Sequence, residues 1–224
     1  MAIEQLFETT SVEKISLKYL IAFPEGYDAT ADLRHPLLLF LHGMGERGDD
    51  PKLLYNNGLP KLIRQGKKLP FIIVMPQCPE DSFWTEESKA LHLLLEQLKK
   101  EHRIDDTRIY ITGLSMGAFG TYDMLSRYPH VFAAGIAICG GIGNMYTRFN
   151  LDRLKETPLW IFHGEKDPVV PARESKDIFS YLQSAGAKDV KLTLYEDLEH
   201  DSWTRTYAND EIYRFLLDRQ KQTE

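Results

Sequence analysis

The sequence predicts an α/β fold, an open, mostly parallel and doubly wound sheet with helices on both faces, and two observations support this prediction. Six short apolar runs recur along the chain, and most are separated by segments with apolar residues at helical spacing. Runs that are apolar throughout suit strands covered on both faces. A repeated order of strand and helix favours parallel strands joined by crossover connections.

The predicted elements can be placed in order along the chain. A strand with alternating polar and apolar residues is predicted over 12–23, and the turn after it covers Pro24 to Asp28. The six apolar strands are predicted near 36–43, 71–76, 108–113, 133–140, 158–164 and 190–196. Helices are predicted over 86–103, 116–128, 172–185 and 209–220.

Length and composition are those of an ordinary globular protein. The chain has 224 residues with no linker, repeat or low-complexity block, so we expect one domain over 1–224. The net charge of −6 argues against a nucleic-acid partner. No apolar run approaches the roughly 20 residues that span a bilayer, and the N-terminal segment lacks a signal-peptide pattern. These features favour a cytoplasmic location, and they leave the oligomeric state open.

The two cysteines, Cys78 and Cys139, each follow a predicted strand, where a small apolar side chain packs well. One possible bridge is too few for a disulfide-stabilised scaffold, so packing is favoured over pairing. Neither cysteine has a neighbouring Cys or His at the spacing of a zinc site. We therefore expect neither a metal nor an organic cofactor.

The segment Gly113-Leu114-Ser115-Met116-Gly117 carries the strongest chemical signal in the sequence. It follows a predicted strand and precedes a predicted helix, which is the context that a G-x-S-x-G nucleophile elbow requires. Glycines on both sides let a strained turn approach neighbouring backbone. Such a turn presents the Ser115 hydroxyl at a helix N-terminus, so we predict that Ser115 is a catalytic nucleophile.

A nucleophilic serine needs a general base and a carboxylate that orients the base, in the chain order Ser, acid, His in this type of fold. Asp167 lies in the turn after the strand near 158–164, and Glu165 is the alternative carboxylate in that turn. His200 follows the strand near 190–196 and is the predicted base. His163 also ends a strand, but it lies within the acid loop, where packing is the favoured role.

Acyl transfer also needs donors for the developing oxyanion. The backbone N–H of Met116, directly after the serine, is one predicted donor. The other is expected from the glycine-rich loop after the first apolar strand, His42-Gly43-Met44-Gly45. We assign the Met44 N–H, with Gly45 as the alternative.

With these motifs, the sequence resembles the small bacterial carboxylesterases of the α/β-hydrolase superfamily. This group includes phospholipase/carboxylesterase, dienelactone-hydrolase-like and "predicted peptidase" proteins, and it is similar to feruloyl esterases. The resemblance runs over nearly the whole chain and is carried by 41–50 (LHGMGERGDD), 75–84 (MPQCPEDSFW), 113–124 (GLSMGAFGTYDM), 163–171 (HGEKDPVVP) and 200–203 (HDSW). Ala118 stands where many relatives have a third glycine, which is a mild departure.

The resemblance implies an α/β-hydrolase fold in which Ser115, Asp167 and His200 form the triad. It also places Trp84 and Trp203 where aromatic residues often flank the site, either as substrate-lining residues or as buried structural ones. Only about 18 residues separate the fourth and fifth apolar strands, too few for a large cap domain. An open site of this kind suits short acyl chains or sugar- and aryl-linked esters.

Four alternatives remain at this point. A prolyl-oligopeptidase-like peptidase, a thioesterase and an acyltransferase could all use the same nucleophile, because each forms an acyl-enzyme. A ligand-binding receptor on an α/β-hydrolase scaffold is the non-enzymatic alternative. The favoured substrate is a small-molecule ester.

Overall fold

The six apolar runs and the alternating strand form one seven-stranded sheet in the part of the chain that the computed structural model describes, residues 14–28 and 32–221. The strands are β1 (Lys18–Ala22), β2 (His35–Leu41), β3 (Ile72–Gln77), β4 (Ile104–Leu114), β5 (Ala134–Ile138), β6 (Leu159–Gly164) and β7 (Val190–Tyr195). The alternating strand is shorter than predicted, and residues 12 and 13 of that prediction lie outside the described residues. The predicted turn at 24–28 is present as a turn over 25–28.

Four of the helices agree with the four predictions, and the last of these is shorter than predicted. They are α1 (Gly58–Arg64), α2 (Ser88–Glu101), α3 (Met116–Arg127), α4 (Met145–Phe149), α5 (Arg173–Ser184), α6 (Trp203–Ala208) and α7 (Glu211–Leu217). A break at 209–210 separates α6 from α7, so the helix predicted over 209–220 covers only the second. The sequence patterns missed α1, α4 and α6 because helices of five to seven residues are too short to show a clear periodicity.

Sheet topology defines where a site can form. The strand order is β1-β3-β2-β4-β5-β6-β7, with β1 antiparallel to β3 and all other pairs parallel. The chain moves outward from β2 to β3 and then returns to the other side of β2 as β4. In open α/β sheets, ligands bind beyond the carboxyl ends of the strands at such a reversal. The loops after β2 and β4 meet at that point.

The fold is α/β-hydrolase, with apolar clusters on both faces of the sheet. The segment between β5 and β6 forms only α4 and a 3-10 helix at Leu151–Glu156, in agreement with the expected lack of a large cap. Cys78 and Cys139 are buried and unpaired. Among the described residues, no helix is both long enough and apolar enough to cross a membrane.

A buried carboxylate ties three helices together on one side of α3. Asp123 is fully buried and accepts hydrogen bonds from the side chains of Ser88 at the start of α2, Asn144 and Thr147 at α4, and Arg127 on its own helix. The Arg127 Nε to Asp123 Oδ2 distance is 2.6 Å. A buried charge is tolerated only when it is paired and hydrogen-bonded in this way.

We predict that Asp123→Ala lowers the free energy of unfolding by about 3 kcal/mol, because the substitution leaves several buried donors without an acceptor. Chemical denaturation measures this change. Asp177→Asn, which breaks an exposed pair with Arg173, is the control and should leave the stability unchanged. Equal stability of the Asp123→Ala protein and the wild type would contradict the proposed bracing role.

Candidate active site

Ser115 occupies a strained turn between β4 and α3. Its backbone φ is 50°, a conformation that non-glycine residues rarely adopt. A Cβ on Gly113 would lie 2.1 Å from the Gly117 carbonyl oxygen, and one on Gly117 would lie 2.0 Å from the Leu41 carbonyl oxygen. Only glycine fits either position. The elbow therefore forms as the sequence predicted, and it packs directly on the end of β2.

Ser115, His200 and Asp167 form a continuous hydrogen-bonded chain. His200 Nε2 lies 2.9 Å from Ser115 Oγ, and His200 Nδ1 lies 2.7 Å from Asp167 Oδ2. An ionised Asp167 can only accept, so His200 carries its proton on Nδ1 and offers the Nε2 lone pair to the Ser115 hydroxyl. This tautomer is the one that a general base for Ser115 needs. The structure thus brings together the three residues selected from the sequence.

Asp167 is buried and held by several donors. The N–H groups of Val169 and Val170 donate to Oδ1 at 2.8 and 2.9 Å, while His200 donates to Oδ2. Burial favours the neutral acid, but the hydrogen bonds from His200, Val170 and Val169 outweigh it and lower the pKa of Asp167 below its usual value. The carboxylate is therefore charged at neutral pH.

Glu165, the alternative acid, has a different role in the structure. Its carboxylate accepts from Lys176 Nζ on α5 at 2.9 Å and does not contact His200. The side chain is about one-third exposed. Geometry therefore favours Asp167 over Glu165 as the partner of His200.

The loops that carry Asp167 and His200 are joined by backbone hydrogen bonds. Glu165 N–H donates to the Tyr195 carbonyl at 2.9 Å, and Lys166 N–H donates to the Leu198 carbonyl at 3.0 Å. A Cβ on Gly164 would lie 2.1 Å from the Glu199 carbonyl oxygen. These contacts join the two loops into one unit, although Asp167 and His200 are 33 residues apart in the sequence.

His163 contacts Asp167 in the structure, whereas the sequence analysis assigned it only a packing role. Its Nδ1 lies 2.7 Å from Ser175 Oγ, and its Nε2 lies 2.9 Å from the Val170 carbonyl and 3.2 Å from Asp167 Oδ2. Burial lowers the pKa of His163, so the ring is neutral at pH 7, and its two acceptors at Nε2 place the single proton there. His163 is thus a further donor to Asp167. Its place at the end of β6, four residues before the acid, was the available sequence signal.

The loop after β2 is oriented by His42. Burial lowers the pKa of His42 to about 4, so the ring is neutral. Nε2 accepts from the Cys78 N–H at 2.9 Å, and Nδ1 donates to the Gly43 carbonyl at 2.5 Å. In a trans peptide, the carbonyl and the following N–H point in opposite directions. Because the Gly43 carbonyl points at the buried ring, the Met44 N–H points away from it.

Both predicted oxyanion donors begin a helix. Met44 is the first residue of a 3-10 helix over Met44–Glu46, and Met116 is the first residue of α3. First-turn N–H groups have no acceptor within their own helix. A Cβ on Gly43 would lie 3.8 Å from the Ser115 Cβ, so the β2 loop borders the nucleophile. Among the described residues, neither the Met44 N–H nor the Met116 N–H has a hydrogen-bond acceptor, and both lie beside Ser115.

Trp84 does not line a substrate site, and that alternative from the sequence is wrong. The side chain is fully buried. Its Nε1 donates to the His42 carbonyl at 2.9 Å, and its ring packs edge-on against the His42 ring at 4.9 Å. Burial of this amphipathic ring against the β2 loop is the reason for its position. Trp84 therefore supports the loop after β2 through its contacts with His42.

Trp203 does lie at the edge of the site. At the start of α6, its half-buried ring packs at right angles to the His200 ring, with centroids 5.4 Å apart. This contact restricts the movement of the His200 imidazole. Trp203 Nε1 has no hydrogen-bond acceptor among the described residues. A direct contact with substrate stays a prediction.

The only group of possible metal ligands in the described part of the chain overlaps this site. Donor atoms of Cys139, Asp167 and His200 lie within 4.8 Å of one another. Burial raises the pKa of the Cys139 thiol to about 12, so it is protonated at neutral pH and a poor ligand. Asp167 and His200 are bonded to each other. The arrangement suits proton transfer better than metal binding.

The fold and the elbow define a serine hydrolase of the α/β-hydrolase type, and comparisons with known proteins identify its family. Residues 74–216 match the phospholipase/carboxylesterase family. The chain belongs to this family. The resemblance stated from the sequence motifs is confirmed.

Three relatives illustrate the similarity. A thermostable esterase of known structure is 33% identical, with a TM-score of 0.76 over 91% of this chain and 59% of its own. The bifunctional acetylxylan esterase/xylanase of Neocallimastix patriciarum is 31% identical over 140 residues, which are 60% of this chain and 20% of that protein. An acyl-protein thioesterase 1 homolog of Dictyostelium discoideum is 32% identical over 126 residues, 55% of each chain. The chain therefore spans about a fifth to three-fifths of these relatives.

The contact between His163 and Asp167 generates a prediction. His163→Asn retains a group near Nδ1 but removes the donor to Asp167, and we expect kcat/KM for a small ester to fall about tenfold. The acid limb of the pH profile should move to higher pH, because hydrogen bonds hold the pKa of Asp167 below its usual value and the loss of a donor raises it. Steady-state kinetics across pH measure both effects.

His163→Gln is the matched control, because its amide nitrogen can replace the Nε2 donor. It should retain most of the activity and the wild-type pH profile. If His163→Asn changed only the melting temperature and left the pH profile in place, His163 would have no role in positioning Asp167.

Proposed function

We propose that this chain is a serine carboxylesterase that hydrolyses short-chain carboxylic esters, including acetyl groups on sugars, through an acyl-enzyme on Ser115. The observation that carries the proposal is the hydrogen-bonded chain from Ser115 through His200 to Asp167, with distances of 2.9 and 2.7 Å. The N–H groups of Met44 and Met116, each in the first turn of a helix beside this chain of hydrogen bonds, support the same chemistry.

In the proposed first half-reaction, Ser115 Oγ attacks the ester carbonyl while His200 Nε2 takes the hydroxyl proton. Asp167 stabilises the imidazolium that forms, and the Met44 and Met116 N–H groups donate to the oxyanion. When the tetrahedral intermediate collapses, the C–O bond to the alcohol breaks and His200 returns its proton to the leaving oxygen.

The second half-reaction releases the acyl group. A water molecule, deprotonated by His200, attacks the acyl carbonyl, and collapse of the second intermediate restores the Ser115 hydroxyl and yields the carboxylic acid. Every proton that moves passes through His200 Nε2.

The exposure of the site supports a short acyl group. Met44 is 52% exposed, and the His200 side chain retains 20% of its accessible surface although it is bonded at both nitrogens. A long acyl chain gains binding energy by burial in an enclosed apolar cleft. The segment between β5 and β6 contains only α4 and a 3-10 helix, which are too short to form a large cap.

The alcohol portion is proposed from a relative. The N. patriciarum protein, whose name includes acetylxylan esterase, shares 31% identity over 140 residues with this chain. We propose that acetyl esters of polysaccharides such as xylan are substrates. Release of acetate from acetylated xylan tests this assignment directly, and the absence of release by an enzyme active on p-nitrophenyl acetate would contradict it.

A second candidate is thioester hydrolysis. The D. discoideum thioesterase homolog is 32% identical over 126 residues, and the same acyl-enzyme forms from a thioester. Matched acetyl oxyester and acetyl thioester substrates separate the two activities. A higher kcat/KM for the oxyester supports the main proposal, and a preference of tenfold or more for the thioester favours the second candidate.

The main test compares p-nitrophenyl acetate, butyrate and octanoate as substrates of the wild type and of Ser115→Ala. We expect kcat/KM to fall with acyl length in the wild type, and kcat to fall by about 10³-fold or more in the variant. The variant loses the nucleophile but retains the oxyanion donors.

Ser184→Ala is the control, because Ser184 lies on the exposed side of α5 and bonds only the Tyr181 carbonyl. It should retain wild-type activity. Equal rates in the wild type and Ser115→Ala would overturn the esterase mechanism, and a preference for octanoate would overturn the proposed acyl length.

A further inference from the structure

A cavity of about 520 Å³ lies beside α3, outside the residues assigned to ester chemistry. We call it the α3–α4 cavity. The loop after β3 forms one wall, the end of α3 forms the floor, and the start of α4 forms the other wall; its lining residues are Phe83, Thr85, Glu86, Arg127, Gly143, Asn144 and Tyr146. The mechanism above uses none of these residues.

A ridge of α3 links this cavity to the nucleophile. Ser115, Phe119, Asp123 and Arg127 follow one another at four-residue intervals, so they form one row on the helix surface. At 1.5 Å per residue, Asp123 lies about 12 Å and Arg127 about 18 Å along the helix from Ser115. A Cβ on Gly143 would lie 3.3 Å from the Phe119 ring, so the cavity wall contacts the residue one turn after Ser115.

The cavity combines aromatic surface with polar groups. Phe83 is 41% exposed and Tyr146 is 37% exposed. The Arg127 guanidinium lies 4.0 Å from the centre of the Tyr146 ring, and its Nε donates to Asp123. Its two terminal nitrogens have no hydrogen-bond partner among the described residues. Glu86 offers a carboxylate that has only a 3.3 Å contact with Ser82 Oγ.

The charges of the lining restrict the type of ligand. Asp123 pairs with Arg127, and Glu86 adds a carboxylate to the lining. Arg47 lies over the Phe83 ring and Arg153 donates to the Tyr146 hydroxyl. Charges of both signs therefore surround the cavity, and the lining offers no single sign of charge that would select an ionic ligand. A wholly apolar ligand would remove Glu86 and Arg127 from water without replacing their hydrogen bonds. A sugar ring has C–H faces that pack on aromatic rings and hydroxyl groups that can accept from Arg127 and donate to Glu86.

We propose that the α3–α4 cavity binds a neutral glycosyl ring of a carbohydrate ester whose acyl group lies at Ser115. The separation of about 12 to 18 Å places this ring beyond the one that carries the ester, so the substrate is an oligomer or polymer. The predicted effect of the cavity on ester hydrolysis rests on the proposed esterase function. Binding of a sugar to the cavity does not require hydrolysis and can be tested separately.

Binding is tested first, in the Ser115→Ala background, with unmodified xylotetraose as the probe. Isothermal titration or NMR should detect an interaction that Tyr146→Ala and Glu86→Gln each weaken about fivefold to tenfold. Tyr146→Phe, which retains the ring, should bind as the parent does. Tyr181→Ala, an exposed aromatic residue on α5, is the matched control and should also bind as the parent does.

Three results would overturn the cavity assignment. These are equal affinity in the Tyr146→Ala and parent proteins, no binding of xylotetraose at millimolar concentration, and a tighter interaction with an aliphatic ester oligomer than with the sugar. Thermal melting of each variant verifies that the fold is intact, so a loss of binding in an unfolded protein is not counted as support.

Kinetics provide the second test. The ratio of kcat/KM for an acetylated xylotetraose to that for p-nitrophenyl acetate should fall about tenfold in Tyr146→Ala and stay constant in Tyr181→Ala. An unchanged ratio in Tyr146→Ala overturns the cavity assignment. If the wild type hydrolysed neither ester, the proposed function would fail, and the binding experiment would still decide whether the cavity holds a sugar.

Discussion

The close approach between the Ser115 turn and the end of β2 is the constraint on which the site depends. Gly117 packs so near the Leu41 carbonyl that no side chain fits, and Ser115 is held at φ 50°. A conformation of this kind costs of the order of 1 to 3 kcal/mol and persists only when the surroundings enforce it. Here the sheet on both sides of β4 and the helix behind it provide that enforcement.

Two neutral histidines outside the triad extend this rigidity into the loops. His42 holds the β2 loop from the core side, with Trp84 packed against it, and His163 holds Asp167 from behind. Each ring is buried, so each has a lowered pKa and keeps one donor and one acceptor at neutral pH. Fixed donors and acceptors of this kind are what electrostatic preorganisation requires. The orientation of both proposed catalytic loops therefore follows from burial.

Much of the fold could be predicted because its signals are local. The parallel strands appear as short apolar runs, and the elbow appears as two glycines around a serine between a strand and a helix. The order Ser115, Asp167, His200 also follows from where strands end. By contrast, the direction of Trp84 depends on which loop packs over it, and the contact between His163 and Asp167 depends on the path of the acid loop. The spacing of residues along the chain is not enough to determine either contact.

The α3–α4 cavity is a further example of what the sequence does not reveal. Its walls come from three segments that are far apart in the chain, and α4 is too short to give a periodic pattern. In the sequence, Asp123 is one of several polar residues on a predicted helix. In the structure, it is the buried acceptor that positions Arg127 and Asn144 in the lining of the cavity. Only the folded arrangement shows that this face of α3 connects the cavity to Ser115.

Covalent trapping tests the central claim most directly. A fluorophosphonate reacts with serines that a neighbouring base activates, and mass spectrometry of the digested protein locates the adduct. The account predicts a single adduct on the peptide containing Ser115, with labelling that slows strongly in His200→Ala because the base is lost. Modification of a different serine, or an unlabelled Ser115 in folded wild-type protein, would contradict it.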